Sequence, residues 1–103
     1  MAHLATATEA RIDWLLEYLV RAWETVEEVA GEWESWGRDS RTDFLSDWPV
    51  NGVKLDALQK HMEHGDLSEE QCRQYAVVMR MIERLQPAVE HMFATADDGP
   101  PGP

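Results

Sequence analysis

The chain has 103 residues, 44% of them hydrophobic, and nine Lys and Arg stand against twenty Asp and Glu, for a net charge of −11. That length makes one domain, with enough chain for a real core but not for a large enclosed cavity beside it. The charge argues against direct nucleic-acid binding, which rests on cations that neutralise phosphates, and against docking on an anionic membrane. The single Cys72 excludes an intramolecular disulfide framework and a multi-cysteine zinc site.

The N-terminal stretch from Met1 to Thr8 lacks a basic segment followed by a sustained apolar one. No apolar run approaches the ~20 residues that span a bilayer. The expected setting is cytoplasmic, with no membrane contact. Residues 1–7 read as a flexible N-terminus, 8–95 as a single helical domain, and 96–103 as a disordered Pro/Gly tail.

Thr6-Ala7-Thr8-Glu9 has the form of a capping box. From there to Trp36 there is no Pro, and Ile12, Leu16, Leu19, Trp23, Val26, Ala30 and Trp33 recur at steps of three and four. That is a helical period and predicts one long helix from Thr8 to Trp36. A second seam, Leu15, Tyr18, Ala22, Val29 and Trp36, widens the apolar surface beyond the usual stripe. This excess predicts a homodimer through the first helix. The alternative is that residues 40–50 fold back and cover the second seam.

Gly37 to Gly52 mixes turn formers with Phe44, Leu45, Trp48 and Val50. Such groups are costly to leave wet, so the segment reads as an ordered connection with one helical turn at Asp43 to Trp48, ended by Pro49. A short helix follows over about Val53 to His64, with Gly65 as its left-handed cap. Ser68 with Gln71 makes a second capping box, and Glu69 and Glu70 suit the positive pole of the helix it opens. Cys72 sits at the staple position opposite Leu67, as a small packed hydrophobe. The last helix carries Tyr75, Val78, Met79, Ile82 and Leu85, and at Pro87 it either kinks or restarts. The fold class is therefore all-α: a small three-helix bundle of a long first helix plus a helix–turn–helix pair, dimerising through helix 1.

The most informative feature for function is the run Glu24, Glu27, Glu28, Glu32 and Glu34, with no Lys or Arg among residues 22–37. Glu24, Glu28 and Glu32 stack at i, i+4 and i+8, where each like-charged pair costs about 0.2–0.5 kcal/mol. A partner-binding surface is expected from Glu24, Glu27, Glu28 and Glu32 together with Trp33 and Trp36. Its partner would be a protein with a basic surface. Arg73, Arg80 and Arg84 on the last helix offer an internal alternative as counter-ions.

Asp39, Asp43 and Asp47 form a second acidic ladder, better suited to turn and cap roles than to Mg²⁺. His61, His64 and Asp66 crowd the end of the second helix and are weak metal candidates, since a His near a helix C-terminus has an ordinary electrostatic reason to be there. No cofactor is expected. The reading is a non-catalytic, regulatory interaction protein. The first alternative is a nucleic-acid-mimicking inhibitor of a DNA-binding protein, although the carboxylates are not spread as two parallel rows. A further alternative, a divalent-metal-dependent helical phosphohydrolase, needs carboxylate pairs on helices. Glu24 with Glu27 and Glu63 with Asp66 have the spacing, but Asp66 falls after Gly65, and no cation is placed to receive phosphate.

Overall fold

The computed structural model describes residues 6–100, and within them every regular element is helical. Helix α1 spans Ala7–Glu32 and closes on a 3-10 turn at Trp33–Ser35. Helix α2 spans Arg38–Ser46, α3 Trp48–Glu63 and α4 Glu69–Ala94. Three long helices make the bundle, and the short α2 turns the chain between the first two.

Local chemistry sets the ends. Thr6 caps α1 by accepting from the Glu9 N–H, and Ser68 and Gln71 satisfy each other's backbone N–H groups in a full capping box. Gly65, at φ +71°, closes α3, and the Asp66 N–H reaches back to the His61 carbonyl. Pro87 lies inside α4, which runs through it unbroken.

The chain runs up, down and up, so α1 and α4 are parallel. At the bottom, the buried Gln71 donates to the Glu9 carbonyl and to Asp13 Oδ1. Midway, Arg84 pairs with Glu27 at 2.6 Å, and at the top the Trp33 indole donates to Thr95 Oγ1 at 2.9 Å. Helix α3 returns along the other flank of α1, where the Trp48 ring meets Trp23 edge-on and Lys54 lies over Trp14. The result is a rod of 58 × 22 × 21 Å.

The core has two parts. Ile12, Leu15, Leu16, Leu19, Leu58 and Val78 fill the lower one. Trp23, Val26, Val29, Trp33, Leu45, Leu85, Val89 and Met92 fill the upper one. Each large side chain removed from water contributes about 1.5–3 kcal/mol.

Three expectations change. The connection is more helical than predicted: α2 begins at Arg38, and Pro49 opens α3 instead of ending a turn. Pro fits the first turn of a helix because its missing N–H would have no partner there. The second seam of α1 is covered within one copy, since Val29 is buried in the upper core, against which Trp36, Phe44 and Trp48 pack, and Leu15 is buried in the lower core, against which Tyr18 packs. The tail read as disordered is in part docked. Ala96–Asp98 form a 3-10 turn, Gly99 is buried, and the Pro100 carbonyl accepts from the Arg38 N–H, a first-turn donor of α2. Residues 101–103 of that tail, and residues 1–5 of the expected flexible N-terminus, lie outside the described residues. No helix among the described residues is long and apolar enough to cross a membrane.

Candidate functional site

The periodicity of α1 turns Glu24, Glu28 and Glu32 away from the core, and all three are exposed. Among the described residues none of the three has an ion-pair partner, whereas Glu27 is bridged to Arg84 across to α4. Glu24, Glu27 and Glu28 rim a shallow depression. Of the proposed internal counter-ions, Arg84 alone reaches the strip. Arg73 is engaged by Glu69 and Glu70 on its own helix, and the Arg73 guanidinium holds the Glu70 carboxyl below its ordinary range. Arg80 is exposed and has no ion-pair partner among the described residues.

The two tryptophans of the expected surface do not share its position. Trp33 is 1% exposed, its ring enclosed in the upper core and its N–H spent on Thr95. It stabilises the fold and is not available to a partner. Trp36 is half-buried, with its ring 6.0 Å from Trp33 and edge-on to Phe44 at 5.9 Å. Its remaining exposed edge lies beyond the end of the glutamate strip.

Arg41 borders the aspartate ladder in sequence, yet it is 2% exposed and organises the top of the bundle. Its Nη1 donates to the Thr95 carbonyl and its Nη2 to the Trp33 carbonyl, both at 2.7 Å, while the guanidinium lies 4.8 Å over the Trp33 ring. These carbonyls cap the C-terminal ends of α4 and α1. Each helix end carries about half a negative charge, so two parallel ends together match one guanidinium. Gly99 covers Arg41 so closely that a Cβ there would stand 2.9 Å from the Arg38 N and 3.1 Å from Arg41 Nε. The Arg41 Nε itself has no hydrogen-bond partner. A sequence signal existed: Arg41, Phe44, Leu45 and Trp48 fall at i, i+3, i+4 and i+7, which places the arginine on the apolar face of α2.

At the opposite end, His61 Nδ1 lies 3.0 Å from Asp66 Oδ2, closing the α3–α4 turn, and His64 is exposed beside them. Among the described residues no three His, Cys, Asp or Glu side chains converge on a metal position. Asp39, Asp43 and Asp47 are exposed along α2 and its junction with α3.

A further feature escaped the sequence reading. The flank of the α1–α4 pair away from α3 is open. Near its lower end a depression of about 540 Å³ has Leu16, Val20 and Gln74 beneath rims of Asp13, Glu17 and Glu70. Near its upper end one of about 280 Å³ is floored by Ala30, Pro87, Ala88 and Met92, between Glu34 and His91. Between them Val77 is 43% exposed. The signal lay in α4, where Gln74, Val77, Met81, Arg84, Ala88 and His91 follow steps of three and four beside the buried row. No protein-family model matches this chain, and neither a curated protein nor a solved structure matches it.

Proposed function

We infer that the protein is a non-catalytic, regulatory interaction module whose outer α1 face, Glu24, Glu27, Glu28 and Glu32, binds a protein partner of basic surface. One observation carries this reading. The last turn of α1 contains no basic residue, and Glu28, Glu32 and Glu34 crowd the negative pole of the helix. Each carboxylate near that pole costs about 0.3–1 kcal/mol where a Lys would gain as much. The other ends of α1 and α4 follow the usual rule, with Glu9, Glu69 and Glu70 at their positive poles. Arg41 reaches the terminal Trp33 carbonyl, and Glu34 lies 3.4 Å from His91. Glu28 and Glu32, however, have no ion-pair partner among the described residues, and carboxylates left uncompensated at that pole support a surface kept for binding.

Homodimerisation through α1 drew its support from the second apolar seam, which α2 and α3 occupy within one copy. The partner proposed here is therefore a different protein, and a second copy is an outcome that the binding tests read out. The setting proposed is cytoplasmic, where the lone Cys72 thiol stays reduced. Association steered by such a strip is fast and salt-sensitive. The test is retention of basic proteins from a native extract on the immobilised protein. The wild type is expected to hold a salt-released partner that the Glu24→Lys, Glu28→Lys, Glu32→Lys variant does not, with helicity unchanged. Equal retention by the helical variant contradicts the proposal.

A further inference from the structure

Two parallel helices covered on one side by a third leave the opposite groove uncovered. In this protein that groove is not a plain polar surface. Val77 stands 43% exposed at its middle, with a depression below it that holds Leu16 and Val20 under acidic rims and a mainly apolar one above. The residues that face it from α4, Gln74 to His91, alternate at three and four, and Leu16, Val20, Glu27, Ala30 and Glu34 of α1 fall on the same register. That spacing is the seam into which another α-helix sets its side chains, since knobs at a 3.5-residue repeat match holes at a 3.5-residue repeat. An extended strand, with its two-residue period, does not match it.

The charges choose the occupant. The α1 rim carries Glu24 and Glu28, unpaired among the described residues, and the α4 rim carries the equally unpaired Arg80. A second copy packed groove to groove would bring Arg80 as its one cation there without an ion pair among the described residues, together with a further net charge of −11. An occupant with Lys or Arg along one edge satisfies the α1 rim, and an acidic residue on its other edge meets Arg80. We propose that the α1–α4 groove is the seat of a basic amphipathic helix from the partner protein, its apolar stripe resting on Val20, Val77, Met81 and Ala88 and its cationic edge against Glu24 and Glu28. The proposal rests on the cationic-partner reading above and adds to it the shape and register of what binds.

The probe is a synthetic peptide of about 18 residues, roughly five helical turns, with Leu at alternating steps of three and four, Lys along one edge and a single Glu on the other. Its control is a scrambled peptide of the same composition, in which Leu and Lys no longer segregate. The amphipathic peptide is expected to gain helicity on binding and to bind at least about tenfold more tightly than the control. Val77→Lys, at a half-exposed site that leaves the fold intact by circular dichroism, is expected to remove most of that tenfold preference. Equal binding of both peptides overturns the groove and leaves the acidic-strip reading standing. No binding of either at low salt overturns both. A wild-type dimer in sedimentation that Val77→Lys dissociates also overturns the proposal, because the occupant is then a second copy.

Discussion

At the shared top of α1 and α4, Arg41 is held by two helix-end carbonyls, Trp33 is hydrogen-bonded to Thr95, and Gly99 lies against both α2 and the guanidinium. Along the flank of the same two helices, Val77 faces solvent, and Glu24 and Glu28 carry charge without a partner among the described residues. Both regions arise from one decision of topology, the parallel pairing of α1 and α4. Parallel helices place two negative poles together, which makes the top a site for a buried cation. They also leave one flank without a covering helix, because the single return helix α3 covers only the other. The first consequence is used up inside the fold, and the second is left open.

The largest expected effect lies at the closed end. Trp33→Ala removes a fully buried indole and the hydrogen bond to Thr95, and should cost about 3–5 kcal/mol in chemical denaturation. A loss below 1 kcal/mol would show that the upper core is not packed around that ring. Gly99→Ala comes next. The added Cβ meets the Arg38 backbone and the Arg41 side chain, so the 96–100 segment must lift, at roughly 1–3 kcal/mol. Wild-type stability in that variant would contradict the close approach.

Smaller effects are expected on the open side. A double-mutant cycle with Glu27→Gln and Arg84→Met should give a coupling of about 0.2–1 kcal/mol, because both groups of this 2.6 Å pair are well exposed. A coupling above 2 kcal/mol would mean the flank is more closed than described. The smallest effect is a titration. Arg73, by hydrogen bond and charge, holds the Glu70 carboxyl below its ordinary value. A lowered folded pKa contributes stability above the unfolded carboxylate value of about 4.3, and loses it as pH falls through the folded value. The Glu70 carboxyl carbon, followed by NMR, should titrate below that of an unpaired Glu and return upward in Arg73→Met. An unchanged midpoint would remove the pair from the account.

What the amino-acid order made legible was local. The Thr6 cap, the Ser68–Gln71 capping box, the Gly65 stop and the long 3–4 periodicity of α1 are short-range features. They place the start of α1, the end of α3 and the start of α4, while α1 itself gives way at Trp33 to a 3-10 turn, short of the Trp36 end its periodicity predicts. Pro49 was ambiguous on local grounds, since the same residue that disfavours a helix before it also opens one after it. The roles of Trp33 and Arg41 depended on facts that no short window contains. Trp33 lies in the same acidic stretch as exposed glutamates, and only the position of α4 decides that it is covered. Arg41 needs two helix ends, at Trp33 and Thr95, that come together from 62 residues apart in the chain. The docking of residues 96–100 has the same origin, because Gly and Pro that read as tail composition serve here to let a backbone approach an arginine closely. The open flank was readable in principle from the second row of α4, although only the placement of α3 shows which side is uncovered.

The claim on which the rest depends is that the glutamates of the outer α1 face serve something other than the fold. Thermal unfolding of the Glu24→Lys, Glu28→Lys, Glu32→Lys variant tests it without any partner. Lysines near the negative pole gain what the glutamates lost, about 0.3–1 kcal/mol at each end position, and the net charge moves toward zero. The account predicts a Tm equal to or above that of the wild type. A Tm lowered by several degrees would show that these carboxylates hold the fold together, and the open-face reading would be contradicted.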